Sequence, residues 1–183
     1  MTEMEKLMAG EPYHFLDPEV AARKEGAVIL CRKFNDLDPL DHDGQLEVLD
    51  ELLGSHGKNL NMQQGFHCDY GKNIHVGDDF LTNYNVTILD IAPVTVGDYC
   101  MIGPNTLITT VGHPLDAAGR RERIGICEPV VIGDDVWIGG NVSIMPGVHI
   151  GNNVVIAAGA IVTKDIPDNC VAGGIPAKKI KDL

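Results

Sequence analysis

The stretch IGDDVWIGGNVSIMPGVHIGNNVVIAAGAIVTKDI, residues 132–166, carries a branched aliphatic residue at every sixth position. These residues are Ile132, Ile138, Ile144, Ile150, Ile156 and Val162. A second small or apolar residue follows each of them four positions later: Val136, Val142, Val148, Val154, Ala160 and Ile166. A helix does not return to one face every six residues, whereas a short strand followed by a tight corner does. The spacing therefore predicts a solenoid of hexapeptide repeats.

The same spacing extends towards the N-terminus and is interrupted once. One phase runs through Val96, Ile102 and Ile108, and a second runs through Val76, Thr82, Ile88 and Val94, with partners at Phe80, Val86 and Ala92. The slip between Val94 and Val96 predicts a two-residue insertion at a corner. Residues 109–129, TTVGHPLDAAGRRERIGICEP, lack the rhythm. We expect them to form a loop outside the solenoid that is either functional or disordered.

Residues 1–57 follow helical rather than hexad spacing. Thr2 and Glu5 form a possible capping box, and Asp17 before Pro18 is a strong helix start. Two apolar faces follow, the first of Val20, Ala27, Cys31 and Phe34, the second of Leu46, Leu49 and Leu53, closed by Gly54. The sequence thus predicts a helical unit at 1–57, an all-β solenoid at 58–170 and a C-terminal tail at 171–183.

Composition excludes several classes of function. The 183 residues include 26 acidic and 14 basic residues, a net charge of −12, which argues against the broad basic surface that nucleic acids require. The sequence has no apolar run of the length of a membrane span, and Glu3 and Glu5 stand where a signal peptide is basic. We expect a cytoplasmic protein that binds neither nucleic acid nor membrane.

The cysteines and the basic clusters are weak signals on their own. The chain has five cysteines and no C-x-x-C pair, which suggests neither a zinc site nor a disulfide framework and predicts that most of them are small buried residues: Cys31, Cys68, Cys100, Cys127 and Cys170. Two basic clusters stand out in the acidic chain: Arg120, Arg121 and Arg123, and Lys178, Lys179 and Lys181. Taken alone, each cluster is expected to be a solvated charge run.

The repeats, with the closing VAGGIPAKKI at 171–180, resemble the hexapeptide-repeat acyltransferases. Within that family, EKLMAGEPYHFLDPEVAARK at 5–24 and YGKNIHVGDDFLTNYNVTILD at 70–90 are similar to the maltose and galactoside O-acetyltransferase branch. The resemblance implies a left-handed parallel β-helix and a homotrimer with active sites between neighbouring prisms. It also implies acetyl-CoA as co-substrate, a sugar hydroxyl as acceptor and no metal. The end of the chain at Leu183 favours the maltose type.

The resemblance also implies the acceptor side of the site. His113, in GHP, matches the catalytic histidine, and a neutral imidazole accepts a proton near neutral pH. Asn83 and Asp69 match acceptor positions, where an amide and a carboxylate suit sugar hydroxyls. Asp17 and Arg23 lie where the family's helical unit reaches the sugar. A corner residue for Asn83, a helix cap for Asp17 and a surface charge for Arg23 remain open alternatives.

The cofactor side follows from the same resemblance. Gly103, Gly140 and Ala158 are small enough for a pantetheine arm to lie along the backbone, and the Gly140 N–H matches an oxyanion donor. Trp137 corresponds to a tryptophan near the CoA groove, or else covers the prism surface. Four residues are predicted for the adenosine and phosphate end, where the family often has arginine at the last positions: Thr163, Lys164, Lys178 and Lys181.

Alternatives from other classes remain. A zinc enzyme like the gamma carbonic anhydrases needs three converging histidines, but His67, His75 and His113 are irregularly spaced. An inert trimeric scaffold is a further possibility, against which His113 and Asn83 speak. Within the acetyltransferases, the acceptor could be an antibiotic, serine or a surface polysaccharide sugar, and the helical unit at 1–57 favours a simple sugar.

Overall fold

The computed structural model describes residues 1–183. The helices are α1 (Glu3–Met8), α2 (Pro18–Asp36), α3 (His42–Leu52) and α4 (Ala117–Arg121). The strands up to the loop are β1 (Tyr13–His14), β2 (Asn61–Met62), β3 (His67–Cys68), β4 (Ile74–Val76), β5 (Leu81–Thr82), β6 (Thr87–Leu89), β7 (Val94–Val96), β8 (Met101–Ile102) and β9 (Leu107–Thr109). The remaining strands are β10 (Val111–Gly112), β11 (Ile124–Cys127), β12 (Val130–Ile132), β13 (Val136–Ile138), β14 (Ser143–Ile144), β15 (His149–Ile150), β16 (Val154–Ile156), β17 (Ile161–Val162), β18 (Cys170–Gly173) and β19 (Lys178–Asp182).

The strands of the solenoid form the three faces of a prism. One face is the sheet β15-β12-β7-β4, the second is β19-β18-β16-β13-β8-β5-β2, and the third is β17-β14-β9-β6-β3. Val131 pairs in parallel with His149, eighteen residues or three hexads further along. One turn of the chain around the prism therefore comprises three hexads. Below, the three faces are called the four-, seven- and five-stranded sheets.

The hexad positions form the core of the prism. Ile132, Ile138, Ile144, Ile150, Ile156 and Val162 are all at most 1% exposed, and Phe80, Val86 and Ala92 are buried as well. All of these except Ala92 belong to one cluster of buried residues that continues into the helical unit through Cys31 and Phe34. The predicted β-solenoid of hexapeptide repeats is confirmed.

The two-residue insertion in the hexad pattern is not between Val94 and Val96, where the sequence predicted it. Val94 and Val96 both point inward from the same strand, β7, so no corner separates them. The extra residues precede Val94, in the corner around Asp90 and Ile91 that links the five-stranded to the four-stranded sheet. There Ile74 pairs with Val94, twenty residues on rather than eighteen. The prediction was wrong because an alternating strand places residues i and i+2 on one face, which mimics a shift of phase.

The loop 109–129 leaves the solenoid at this same corner, and it is ordered. β10 and β11 pair antiparallel as a hairpin that carries α4 at its tip, and β1 of the N-terminal unit pairs with the other side of β11. Of the two expected alternatives for this segment, functional or disordered, the structure does not support the disordered one. The four residues of β11 alternate in burial, which is a strand period of two hidden in a segment without hexads.

The N-terminal unit is built largely as predicted. Thr2 and Glu5 form the capping box of α1, Asp17 caps α2, and Val20, Ala27, Cys31 and Phe34 are the buried face of α2. In α3 the prediction of Leu46 as a core residue is wrong. Leu46 is exposed, and Val48, Leu49 and Leu52 are the buried residues.

The boundaries between the parts are less sharp than the three predicted ranges. Ser55 already bridges to His75 of the first full coil. At the other end, Cys170–Gly173 pairs with β16, and Lys178–Asp182 returns antiparallel along it, so residues 171–183 complete the seven-stranded sheet. None of the helices combines the length and apolar character that crossing a membrane requires.

Candidate active site

His113 follows β10 directly and is exposed on the hairpin. Its Nδ1 lies 3.0 Å from the carbonyl oxygen of Ile124 on the opposite strand. Because a carbonyl only accepts, Nδ1 carries the proton, and Nε2 of the neutral ring keeps a free lone pair. The ring of Phe15 meets the imidazole edge-on with centroids 5.1 Å apart. The hairpin thus sets both the tautomer and the orientation of the imidazole.

The base of the hairpin is fixed to the prism by Thr110. Its buried hydroxyl donates to the carbonyl of Leu89 over 2.7 Å and accepts from the N–H of Ala92 over 3.0 Å. Both partners lie in the corner of the preceding turn. These two hydrogen bonds fix the position of β10, and with it that of His113, relative to the preceding turn of the solenoid.

A cavity of about 170 Å³ opens beside His113. The N-terminal unit, the corner and the hairpin all contribute to its lining: Tyr13, Phe15, Val20, Lys24, Ile91, Val111 and His113. Lys24 Nζ lies 2.9 Å from Oδ1 of Asp69, whose side chain is largely buried. Burial raises the pKa of Tyr13 above its usual range, so its phenol stays protonated. The cavity therefore combines apolar walls with one imidazole, one ammonium and one phenol.

Asp90 shapes the corner that carries Asp69. Its fully buried carboxylate accepts from the N–H groups of Asp69 at 3.1 Å, Tyr70 at 2.8 Å and Asn73 at 3.3 Å. Burial raises the pKa of Asp90, while the backbone N–H donors oppose that shift. Sequence reasoning missed this residue, although an aspartate at the end of a predicted buried hexad is a signal that could have found it.

The other predicted acceptor residues of the N-terminal unit make local contacts. Asp17 accepts from the N–H groups of Glu19 and Val20 as the cap of α2. The guanidinium of Arg23 lies 3.9 Å from the centre of the Tyr70 ring. Lys24, which sequence reasoning missed, shares the cavity with His113. It lies one helical turn after Val20 and so on the same face of α2.

Four other predicted residues lie along a different corner, between the seven-stranded and the five-stranded sheets: Asn83, Gly103, Gly140 and Ala158. The N–H of Asn83 donates to Ile102, and that of Gly103 donates to Ile138, so these turns are stacked directly. The Asn83 Oδ1 accepts from the N–H of Tyr84 at 2.8 Å. The N–H groups of Gly140 and Ala158 have no acceptor within the chain, which leaves two donors in a row on this corner.

The predicted phosphate-end residues are divided between two places. Thr163 and Lys164 follow β17, at the corner of the hairpin but on a later turn. Lys178 and Lys181 are exposed on β19 and form no ion pair, whereas Lys179 between them pairs with Asp182. The structure therefore leaves four polar side chains of this group free for a ligand.

Trp137 lies on the outer side of the seven-stranded sheet and is 53% exposed. It is in register with Met101, which is 47% exposed, and Met101 is in register with Leu81, which is 37% exposed. Val155 continues the row beyond Trp137. The outer side of this sheet thus carries an apolar row along the prism axis.

The histidines do not form a metal site. No group of three or more His, Cys, Asp or Glu side chains in the chain is arranged to hold a metal ion. His75 instead pairs through Nδ1 with the hydroxyl of Ser55 at 2.9 Å. Within one chain, His67, His75 and His113 are therefore not part of a common metal-binding group.

Comparison with known proteins bears on both parts of the chain. Residues 129–164 match the family model described as bacterial transferase hexapeptide (six repeats), and residues 6–57 match that of the maltose acetyltransferase hexapeptide capping motif. The galactoside O-acetyltransferase of Escherichia coli K12 is 36% identical, covering 100% of this chain and 90% of the relative.

Solved structures agree over the whole chain. A maltose O-acetyltransferase from Clostridium difficile 630 is 45% identical with a TM-score of 0.98, covering 100% of this chain and 98% of the other. A hexapeptide-repeat acetyltransferase from Vibrio cholerae in complex with acetyl-CoA is 40% identical with a TM-score of 0.90, covering 100% and 99%.

The fold and its repeats thus define a hexapeptide-repeat transferase. Because the similarity to the Escherichia coli enzyme spans the whole chain, including the helical unit, the protein belongs to the maltose and galactoside O-acetyltransferase family. It is an acyltransferase, an acetyl-CoA-dependent acetyltransferase of that type.

Proposed function

We propose that this acetyltransferase moves the acetyl group of acetyl-CoA to a hydroxyl of a sugar such as maltose, glucose or a galactoside, with His113 as general base. The observation that carries the proposal is the 3.0 Å hydrogen bond from His113 Nδ1 to the Ile124 carbonyl. In the neutral imidazole this bond puts the free lone pair on Nε2, and His113 lines a cavity, which is the arrangement that a general base requires.

The reaction follows from this state of the imidazole. Nε2 takes the proton of the acceptor hydroxyl while the hydroxyl oxygen attacks the thioester carbonyl. The Gly140 N–H, which has no acceptor in its own chain, donates to the oxyanion that develops. Collapse of the tetrahedral intermediate breaks the C–S bond, and the imidazolium returns its proton to the departing thiolate of CoA.

The acceptor occupies the cavity beside His113 in this proposal. Sugar hydroxyls donate to carboxylates and accept from ammonium groups, so the Lys24–Asp69 pair offers both kinds of partner at 2.9 Å from one another. Arg23 of α2 and its cap residue Asp17 would contact the acceptor from the N-terminal unit, and Asn83, which lies at the other corner, would contribute its amide from a neighbouring subunit. Two relatives are named for maltose and galactoside acetyl transfer, which supports a sugar as acceptor.

Acetyl-CoA lies along the corner that carries Gly103, Gly140 and Ala158. A Cβ at Gly103 would lie 2.5 Å from the backbone nitrogen of Gly140, so the turns are tightly stacked here, and neither glycine has a side chain that would exclude a pantetheine arm. Trp137 flanks this corner on the seven-stranded sheet. The cationic groups of Lys164, Lys178 and Lys181, with the hydroxyl of Thr163, provide partners for the adenosine and phosphate end.

We propose further that the enzyme is a homotrimer whose sites lie between subunits. His113 and Gly140 lie at different corners of one prism, with the five-stranded sheet between them. A single chain therefore offers the base and the oxyanion donor on separate surfaces, and a site that uses both takes Gly140 from the partner subunit. The apolar row of Leu81, Met101 and Trp137 is a surface that a second prism would cover.

The test is release of free CoA thiol from acetyl-CoA by the purified full chain, with maltose, glucose, a methyl galactoside, serine and chloramphenicol offered in parallel. We expect release above background with at least one sugar and not with serine or chloramphenicol. If CoA release were stimulated only by serine or chloramphenicol, the acceptor would be that compound and not a sugar. Acetyl-CoA binding without acceptor-dependent release from any of these would contradict the proposed substrate class.

A further inference from the structure

Cys31 on α2 and Cys68 on β3 form a close pair of thiols, with Sγ atoms 3.6 Å apart. The remaining cysteines are placed differently. Cys100 and Cys170 donate to backbone carbonyls, and Cys127 lies in a separate apolar cluster. The expectation that most of the cysteines are small buried residues fits these three, whereas Cys68 is only partly buried and faces the thiol of Cys31.

Contacts on both sides of the pair hold α2 against β3. One turn after Cys31, the side chain of Asn35 donates to the Phe66 carbonyl at 2.9 Å and accepts from the N–H groups of Gly65 and Phe66. Two turns before Cys31, Lys24 pairs with Asp69, the residue next to Cys68. A disulfide has an S–S distance of about 2.05 Å, so about 1.5 Å of approach would close the bond.

Cys31 is buried and Cys68 is partly buried, and the two thiols are in hydrogen-bond contact at the wall of a cavity. They line a cavity of about 420 Å³ together with Arg32 and the exposed His67. The hydrogen bond between the two Sγ atoms lowers the pKa of Cys31 and raises that of Cys68. Thiolate is the reactive form in thiol–disulfide exchange, so a hydrogen-bonded pair at the edge of a cavity favours the reaction.

We propose that Cys31 and Cys68 are a redox-active pair that a small disulfide such as oxidised glutathione converts into an intramolecular disulfide. The thiolate of the pair attacks one glutathione sulfur and releases one glutathione as its thiolate. The second cysteine then loses its proton, attacks the protein sulfur of the mixed disulfide and releases the second glutathione. The two cysteines are oxidised, and one glutathione disulfide is reduced to two thiols.

The cross-link would join the helical unit to the first coil of the solenoid. It closes a loop between residues 37 positions apart, which restricts the unfolded chain and stabilises the fold. It also fixes α2, the helix that carries Lys24. A changed KM for the acceptor on oxidation would rest on the proposed function, whereas the formation of the bond does not depend on that function.

The experiment oxidises the full-length protein with oxidised glutathione at neutral pH, blocks remaining thiols by alkylation and maps the peptides by mass spectrometry. We expect a peptide pair joined through Cys31 and Cys68, lighter by two hydrogens than the reduced peptides. We also expect loss of two of the five titratable thiols and a rise in Tm of about 5 °C or more that dithiothreitol reverses.

Two variants sharpen the result. Cys68→Ser should retain all its other thiols under the same treatment, and Cys170→Ser, a matched change at a buried cysteine, should still form the cross-link. The proposal is overturned if the wild-type protein keeps all thiols, holds a stable glutathione adduct at Cys68, or joins either cysteine to another chain. The wild-type peptide map alone decides between these outcomes if a variant fails to fold.

Discussion

At the scale of single residues, His113 depends on one backbone carbonyl. Ile124 is on the partner strand of the hairpin, and its carbonyl holds Nδ1 so that Nε2 stays free. Phe15 limits rotation of the ring from the other side. A regular prism face offers neither contact, because its backbone groups are engaged with the turns above and below. The excursion at 109–129 supplies the free carbonyl and the histidine together.

His113→Ala should lower kcat by at least about 100-fold, the usual scale for loss of a general base. The side chain is exposed, so Tm should hardly change. The measurement is acceptor-dependent release of CoA thiol alongside thermal unfolding. His149→Ala, at another exposed histidine of the solenoid, serves as control and should keep full activity. A His113→Ala enzyme within threefold of the wild type would contradict the assignment of the base.

A second histidine couples stability to pH. His56 Nε2 lies 2.6 Å from Asp50 Oδ1, and Nδ1 lies 2.7 Å from the Gly57 carbonyl. The Asp50 hydrogen bond first, and the Gly57 carbonyl second, raise the pKa of His56 above its usual value. A raised folded-state pKa gives stability that is present below the unfolded pKa and lost as pH rises through the folded pKa.

The difference in Tm between the wild type and Asp50→Asn should therefore be largest near pH 6 and shrink towards pH 9. Thermal unfolding at a series of pH values measures it. Asp36→Asn removes a carboxylate that pairs with Arg32, whose charge is constant over this range, so its effect on Tm should not vary with pH. If the difference in Tm between the wild type and Asp50→Asn grew with rising pH, the predicted direction of the pH dependence would be wrong.

At the scale of elements, the corners of the prism differ in their residues and therefore in their proposed roles. The corner between the seven- and five-stranded sheets has Gly103 stacked against Gly139 and Gly140. The corner between the five- and four-stranded sheets instead carries extra residues, with Asp90 on one turn and the hairpin on the next. The same hexad pattern thus gives one corner of closely stacked glycines and another corner that carries inserted residues.

Gly103→Ala should destabilise the protein by about 1–3 kcal/mol, because the added Cβ would lie 2.5 Å from the Gly140 nitrogen and 2.6 Å from the Gly139 carbonyl carbon. Gly26→Ala is the matched control. No atom lies within 4 Å of a Cβ there, and alanine favours the interior of α2 by about 1 kcal/mol. Thermal unfolding should show a lower Tm for the first variant and an equal or higher Tm for the second.

At the scale of the whole molecule, one chain divides the proposed machinery between two corners. The base lies on the hairpin corner, and Asn83 and Gly140 lie on the other. Within one prism these groups lie at the two corners that flank the five-stranded sheet, so we expect them to act on the same substrate atom only across a subunit interface. Assembly would unite them and would also cover the row that includes Trp137.

Trimers assembled from a mixture of His113→Ala and Asn83→Ala chains test this division. Each variant alone should be nearly inactive, but every mixed trimer has one site of three with both residues intact, so purified mixed trimers should recover about a third of the wild-type activity. Co-expression with two tags, purification of mixed trimers and a CoA-release assay measure the recovery. No recovery in verified mixed trimers would place both residues in a site within one chain. A mass other than about three times 19.7 kDa would exclude the trimer itself.

Much of the architecture was predictable from local pattern alone. The aliphatic residues from Ile132 to Val162 are buried as their period of six requires, and Asp17–Pro18 begins α2 as its capping chemistry requires. These features follow from interactions within one turn or one helix end, which neighbouring residues determine. His113 also stood out, because it interrupts that period.

The tertiary structure alone decided which side chains meet. Lys24 and Asp69 are 45 positions apart and pair because α2 lies across the corner that Asp90 organises. Cys31 and Cys68 meet for the same reason. The hairpin is ordered because β1 adds a third strand from the other end of the chain. Such contacts depend on where the helical unit docks, and docking results from the summed burial of many residues, which no local period encodes.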